Sequence, residues 1–276
     1  MASGLHGARV ALLESRMNAE IAAMVRRMDG TPVPVPSVRE VPRQAEAAAF
    51  VNAVVAGRLA VVVFQTGAGA SAIFNEAERR GVLADLTARL RQATVVCRGP
   101  KPTAVVRRYG IAAPVVPARP YTTHEVLEAT APVDMANREV GLVHYGERNA
   151  VLADALRARG ARVTEACPYE WALPEDIEPL SALVRDARSQ VDAIAFTSQI
   201  QVKHLFAVAE TLKLAQPLRD ALNDDIIVAT VGPVCADALR AAGVTPDVEP
   251  ADPKMGPLLI ALADYIELTR DHDGQA

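Results

Sequence analysis

Aromatic residues, cysteines and surplus positive charge are all scarce in this 276-residue sequence. Aromatic residues make up 4% of the chain, so we expect a core built mainly of Ala, Val, Leu and Ile. The formal net charge of -4 argues against a nucleic-acid-binding protein, which usually carries a basic surplus. Cys97, Cys167 and Cys235 lie far apart and form no CxxC pair. This pattern is typical of a reduced cytosolic protein rather than a disulfide scaffold.

The sequence also lacks the usual signals of metal binding, secretion and membrane insertion. Its five histidines show neither HxxxH nor HxH spacing, so we expect no zinc site. No apolar signal segment stands at the N-terminus, and apolar runs such as 59–64 are too short to span a bilayer. We therefore expect a cytoplasmic protein that binds no membrane.

Short β-branched runs alternate with stretches of helical periodicity along the whole chain. The runs cover residues 9–14, 61–64, 94–97, 140–144, 193–196 and 226–230. Alternation of this kind indicates an α/β fold with parallel sheets covered by helices on both faces.

The strand–helix segments repeat in the same order in the two halves of the chain. Residues 9–35 resemble 140–169, and residues 95–116 resemble 228–248. Two copies of a domain of roughly 125 residues follow. One boundary could fall near residue 135. Alternatively, the proline-rich stretches 31–42 and 168–179 could both cross between domains, and the pattern alone does not choose.

Glycine, hydroxyl and cationic residues follow the predicted strands, at the edge where parallel sheets bind ligands. They are Thr66, Gly67, Gly69, Arg98, Gly99, Lys101, Thr103, Tyr145, Thr197, Ser198, Gln199, Gly232 and Pro233. Main-chain N–H groups at such turns and helix N-termini favour anions. For any single turn, an ordinary helix cap is the better explanation. Their combination in both halves predicts a small-molecule ligand rich in carboxylates or phosphates.

A dinucleotide is one alternative ligand. Residues 67–72 fit the pattern G-x-G-x-x-A between a strand and a helix, and Arg98 could meet a 2′-phosphate, as in NADP binding. The equivalent turn at 197–201 has no glycine, which argues against this alternative.

Few residues suggest chemistry on their own. Tyr169 follows Pro168 at a predicted crossover, where a phenol could donate a proton to a leaving hydroxyl or simply pack at a hinge. Cys235 stands at a predicted helix N-terminus, where a thiol pKa could be lowered, although a role as a small core-edge residue explains it better. His144 and His204 are expected to be packing or surface residues.

Together these features resemble the uroporphyrinogen-III synthase family over about residues 8–268. The resemblance rests on Ala193–Ser198, on 231–233 with 236–239 and Gly243, on Pro168-Tyr169, and on an early strand ending near Arg16. It implies two doubly wound, flavodoxin-like domains joined by a two-stranded linker, with the active cleft between them. One domain would be residues 1–37 plus 171–276 and the other 43–166, with linkers 38–42 and 167–170.

The resemblance also implies a reaction and a site. A monomeric enzyme would cyclise hydroxymethylbilane, a linear tetrapyrrole with many carboxylates, to uroporphyrinogen III with inversion of ring D and loss of water. No cofactor or metal is implied. Tyr169 would assist departure of the hydroxyl, and the turns, together with Arg16, Val234 and Cys235, would bind the substrate. Cys235 stands where the family often has threonine, which leaves that turn's role open.

A ligand-sensing module without catalysis is the competing interpretation. Similar domains occur fused to DNA-binding domains in bacterial regulators. No basic helix-turn-helix pattern follows residue 270, so we expect no direct DNA binding.

Overall fold

The computed structural model describes residues 4–15, 18–112 and 114–273. The strands are β1 (Arg9–Leu12), β2 (Thr31–Pro34), β3 (Arg39–Pro42), β4 (Leu59–Phe64), β5 (Thr94–Cys97), β6 (Glu139–Val143), β7 (Arg162–Ala166), β8 (Tyr169–Ala172), β9 (Ala193–Phe196) and β10 (Ile227–Thr230). The helices are α1 (Asn18–Arg27), α2 (Gln44–Val55), α3 (Gly67–Arg79), α4 (Leu83–Gln92), α5 (Pro100–Arg108), α6 (Thr123–Ala129), α7 (Ala150–Ala158), α8 (Glu178–Arg185), α9 (Ala187–Gln190), α10 (Gln199–Thr211), α11 (Ala215–Asp224), α12 (Pro233–Ala241) and α13 (Met255–Asp273).

The first sheet joins strands from both ends of the chain. Its order is β10-β9-β1-β2, and all neighbouring strands are parallel. Val248 extends the order by a parallel bridge to Ala229, beyond β10. The described residues up to Arg39 and from Ala172 onward form one compact unit around this sheet, which we call the first unit.

The second sheet lies within the middle of the chain. Its order is β5-β4-β6-β7, again parallel throughout, and Val115 bridges Val96 beyond β5. Residues Glu40–Trp171 form the second unit around it. The strands β6 and β7 stand in this sheet where β1 and β2 stand in the first, so the repeated segments occupy matching places.

Each sheet carries a hydrophobic core on both of its faces. In β4, Val62 and Phe64 pack into one core, while Val61 and Val63 pack into another. This alternation follows from the two-residue period of a strand, and it requires helices on both sides. The predicted α/β class with two doubly wound parallel sheets is therefore confirmed.

The strands β3 and β8, which connect the two units along the chain, pair as a separate two-stranded antiparallel sheet. Within the described residues, none of the helices combines the length and apolar character that crossing a membrane requires.

Candidate functional site

The N-terminus of α3 forms one wall of the candidate site in the second unit. Thr66 is the N-cap of this helix, and its Oγ1 accepts a hydrogen bond from the N–H of Gly69 at 3.0 Å. The hydroxyl of Tyr169 lies 3.0 Å from the same oxygen. A Cβ on Gly67 would come within 3.2 Å of the Lys101 side chain, so the starts of α3 and α5 approach closely. Tyr169 is thus held at a helix N-terminus.

Arg98 follows β5 directly and brings a positive charge to the site. Its backbone N–H donates to the carbonyl of Phe64 at 3.0 Å, and its guanidinium lies over the ring of Tyr145, 5.2 Å from the centroid. Among the residues that the structure describes, none offers this guanidinium a carboxylate or a hydrogen-bond acceptor. Burial lowers its pKa, while the nearby phenols of Tyr145 and Tyr169 raise it. A partly buried guanidinium has five N–H donors, and an anionic ligand would satisfy them.

The turn after β6 is fixed by a tryptophan that sequence reasoning did not single out. Gly146 has a φ of +63°, and a Cβ there would lie 2.3 Å from Nε1 of Trp171. The indole N–H of Trp171 donates to the carbonyl of Tyr145 at 3.1 Å. The rings of Tyr169 and Trp171 meet edge to face with centroids 5.1 Å apart. Tyr169 and Trp171 are two apart in β8, so their shared side of the strand was the signal that could have identified Trp171.

At the start of α5, a hydroxyl that was predicted to bind a ligand makes a hydrogen bond within the helix instead. Gly99 is the N-cap and Pro100 the first helical residue. Thr103 is buried, and its hydroxyl donates to the carbonyl of Gly99 at 2.8 Å, so that hydrogen is committed to the helix. Lys101 is exposed.

The turn after β9, in the first unit, is capped by side chains of the protein itself. The side chain of Gln201 accepts hydrogen bonds from the N–H groups of Thr197 and Ser198, at 2.7 and 3.3 Å. The hydroxyl of Thr197 donates to the carboxylate of Glu14 at 2.9 Å. These donors, predicted to bind a ligand carboxylate, are therefore satisfied within the protein, and a carboxylate already lies beside them. Gln199 is partly buried at the start of α10.

The turn after β10 shows whether the thiol of Cys235 could be activated. Gly232 is the N-cap of α12, and Pro233 and Val234 are exposed in its first turn. Cys235 is buried, and burial raises the pKa of its thiol to about 11. The interpretation of Cys235 as a thiol activated by the helix N-terminus is therefore wrong, and its burial agrees with the preferred role as a small core-edge residue. Arg16 lies outside the described residues.

Within the described residues, no three His, Cys, Asp or Glu side chains cluster as a metal site would require.

The family model of uroporphyrinogen-III synthase HemD matches residues 19–260. The chain belongs to the uroporphyrinogen-III synthase HemD family. This is a hydro-lyase family whose members bind a tetrapyrrole substrate.

Two curated relatives and several solved structures are similar to the chain. The uncharacterized protein YjjA of Bacillus subtilis is 31% identical over 271 residues, which is 97% of this chain and 99% of YjjA. A putative uroporphyrinogen-III synthase of Methanothermobacter thermautotrophicus is 30% identical over 156 residues, 56% of this chain and 60% of that protein. A mutant uroporphyrinogen III synthase from Thermus thermophilus is 27% identical, covers 94% of this chain and 99% of its own, and has a TM-score of 0.77. The Helicobacter pylori synthetase, at 13% identity and a TM-score of 0.53, shows the fold alone.

The three thiols are expected to be unreactive in the folded protein. Burial raises the pKa of Cys97, Cys167 and Cys235 to about 11, so roughly one thiol in a thousand is ionised at pH 8. With Ellman's reagent at pH 8, we expect modification at least about 100-fold slower in buffer than in guanidinium chloride, since only the thiolate attacks. The unfolded protein is the matched control. Release of one equivalent within seconds from the folded protein would contradict the assignment.

Proposed function

We propose that this protein is a uroporphyrinogen-III synthase, which cyclises hydroxymethylbilane with inversion of ring D and loss of water. The observation that carries the proposal is the guanidinium of Arg98, which the described residues leave unpaired, beside the phenol of Tyr169. Family membership supports the same reaction. The substrate is a linear tetrapyrrole with many carboxylates, which is the kind of ligand that such an arginine at the end of a parallel strand would bind.

In this proposal, Tyr169 donates its phenolic proton to the leaving hydroxyl of the substrate. The C–O bond breaks, water departs, and a protonated azafulvene remains. Its exocyclic carbon is attacked by the substituted carbon of ring D, which gives a spiro intermediate. The bond between that carbon and its original methylene bridge then breaks, and the freed methylene bonds to the unsubstituted carbon of ring D, which closes the inverted ring. The proton that this last carbon loses on closure balances the proton that Tyr169 supplied. The charge of Arg98 favours the phenolate that exists between these steps.

Binding in the second unit falls to Arg98, Lys101 and the N-termini of α3 and α5, which attract carboxylates. Fixing the flexible chain so that the correct carbon is attacked would supply much of the rate enhancement, because it removes rotational freedom before reaction. The reaction as written requires no cofactor and no metal. Three free, buried cysteines are compatible with work in the reducing cytoplasm.

The product isomer tests the proposal directly. We expect purified protein to convert hydroxymethylbilane to uroporphyrinogen III, resolved from the type I isomer by chromatography after oxidation. A no-enzyme reaction is the control, because type I forms spontaneously. Formation of type I alone would refute the proposal. Tight binding of the tetrapyrrole without turnover would favour the sensing module instead, and thermal stabilisation by NADP would favour the dinucleotide alternative.

Arg98 is predicted to bind a substrate carboxylate. Arg98→Gln should lower kcat/KM by about 10- to 100-fold, the effect of losing one charge-assisted hydrogen-bonded pair. Arg98→Lys should recover part of the loss, since it restores the charge but not the two-pronged geometry. Arg108→Gln, at an exposed arginine in the last turn of α5, is the matched control and should leave kcat/KM unchanged. Equal kinetics for Arg98→Gln and Arg108→Gln would remove Arg98 from the site.

Tyr169 is predicted to act in the chemical step. Tyr169→Phe removes the hydroxyl near Thr66 but keeps the ring that packs on Trp171. We expect kcat to fall by about 100-fold or more, with a smaller change in KM, as for loss of a general acid. Tyr109→Phe deletes the same atom from a tyrosine stacked on Phe74 and serves as the control. An unchanged kcat in Tyr169→Phe would exclude the phenol from the mechanism.

A further inference from the structure

A connected set of polar side chains lies in the second unit directly behind the candidate site. It consists of Gln65, His144, Asn149 and Glu165, which we call the His144 network. His144 is fully buried, and Gln65 and Asn149 are also buried. A buried polar group must find partners, because an unsatisfied one costs about 1–3 kcal/mol. Here the partners come from the residues that directly follow β4 and β6, from β7 and from the N-cap of α7.

The hydrogen bonds fix the tautomer of His144. Nδ1 receives the backbone N–H of Asn149 at 3.1 Å and lies 3.2 Å from Nε2 of Gln65. The N–H of Asn149 can only donate, so Nδ1 must be the unprotonated acceptor. Nε2 therefore carries the hydrogen and donates it to Oε2 of Glu165 at 2.7 Å. The side-chain amide of Asn149 closes the ring by donating to Oε1 of Gln65 at 3.0 Å.

Three members of the network adjoin elements of the candidate site. Gln65 immediately precedes Thr66, which caps α3 and lies beside the hydroxyl of Tyr169. His144 immediately precedes Tyr145, whose ring lies under Arg98 and whose carbonyl receives the indole N–H of Trp171. Asn149 is the N-cap of α7 and stands at the end of the turn that begins at His144. Loss of the network would thus free both turns at once.

We propose that neutral His144 is a positioning residue, which holds the turns at Thr66 and Tyr145 so that Tyr169 and Arg98 keep their places. The inference rests on the proposed function for its kinetic consequences, but not for its structural ones. Protonation of Nδ1 would set a second donor against the N–H of Asn149. The turn would then lose its anchor, and the site would loosen at low pH.

The charges around the imidazole agree with this direction. Burial lowers the pKa of His144 below its ordinary value, against the opposing effect of Glu165 on β7. The charge of Arg148 lowers the pKa of His144 further, and that of Glu46 on α2 raises it. Arg157 on α7 forms an ion pair with Glu165. Because the pKa of His144 is lower in the folded than in the unfolded protein, its contribution to the free energy of unfolding is fully present above the unfolded pKa of about 6.5. That contribution is lost as the pH falls below about 6.5 toward the folded pKa. Burial would raise the pKa of Glu165, but its hydrogen bonds to His144 and Arg157 lower it, so that carboxylate titrates in a more acidic range.

Two substitutions separate the two sides of the ring. His144→Asn places a carbonyl oxygen near the position of Nδ1, so the acceptor for Asn149 is restored. His144→Gln places an amide N–H near the position of Nε2, so only the donor to Glu165 is restored. We expect His144→Gln to lower kcat/KM by about 100-fold, as for a displaced catalytic group, and His144→Asn to recover most of that loss. His204→Asn, at a half-buried histidine near Ser37 in the first unit, is the matched control.

Trp171 is the single tryptophan of the chain, so its emission reports on the Tyr145 turn without any substrate. We expect the wild-type protein and His204→Asn to show an emission transition below pH 6.5, which His144→Asn abolishes. Glu165→Gln should move the transition to lower pH, because it removes the carboxylate that favours protonation. Glu165→Gln keeps the test available if His144→Gln does not fold.

Equal losses in His144→Asn and His144→Gln, or an emission transition that persists in His144→Asn, would overturn the inference. The two proposals fail separately. If no type III product forms while the emission follows the expected pattern, the proposed function fails and the network stands. If type III product forms and the His144 variants behave as wild type, the network fails and the function stands.

Discussion

The parallel pairing of β4 with both β5 and β6 is the constraint on which the candidate site depends. The hydrogen bonding continues past the ends of the strands: the N–H of Arg98 donates to Phe64, and the N–H of Gln65 donates to Val143. Thr66, Arg98 and Tyr145 are distant in the sequence, yet this pairing places them side by side. A one-residue change of register would move a turn by roughly 3.3 Å, more than a hydrogen bond tolerates.

The two units share a strand order but not the chemistry of their turns. In the first unit, Gln201 and Glu14 satisfy the donors at Thr197 and Ser198. In the second unit, the corresponding edge of the sheet carries Arg98, a cation that the described chain does not pair. Fold similarity therefore says little about which turn binds an anion. The side chains that return to cap each turn decide it.

Much of the fold was predictable because local signals agreed with one another. The β-branched runs at 61–64, 94–97 and 193–196 all lie in strands, and the repeats matched segments that occupy equivalent places in the two sheets. The site was less predictable, since its contacts join residues from different strands. His144 was expected to pack, and its partners Gln65, Asn149 and Glu165 could not be assigned without the fold. One signal was overlooked: Ser198 followed three residues later by Gln201 is the pattern of a capping box.

The guanidinium of Arg98 and the His144 network behind it differ in how far the protein satisfies their hydrogen bonds. Every member of the His144 network is paired within the protein, so the network has little to gain from a ligand. The guanidinium of Arg98 is partly desolvated, and the described residues offer it the aromatic face of Tyr145 and the nearby phenol of Tyr169 but no carboxylate. A bound carboxylate would supply hydrogen bonds that the protein withholds, at a place where reduced contact with water strengthens them. Groups that are satisfied within the protein therefore support one cation without a carboxylate partner among the described residues, and in the proposed function that cation would bind substrate near the phenol that donates the proton.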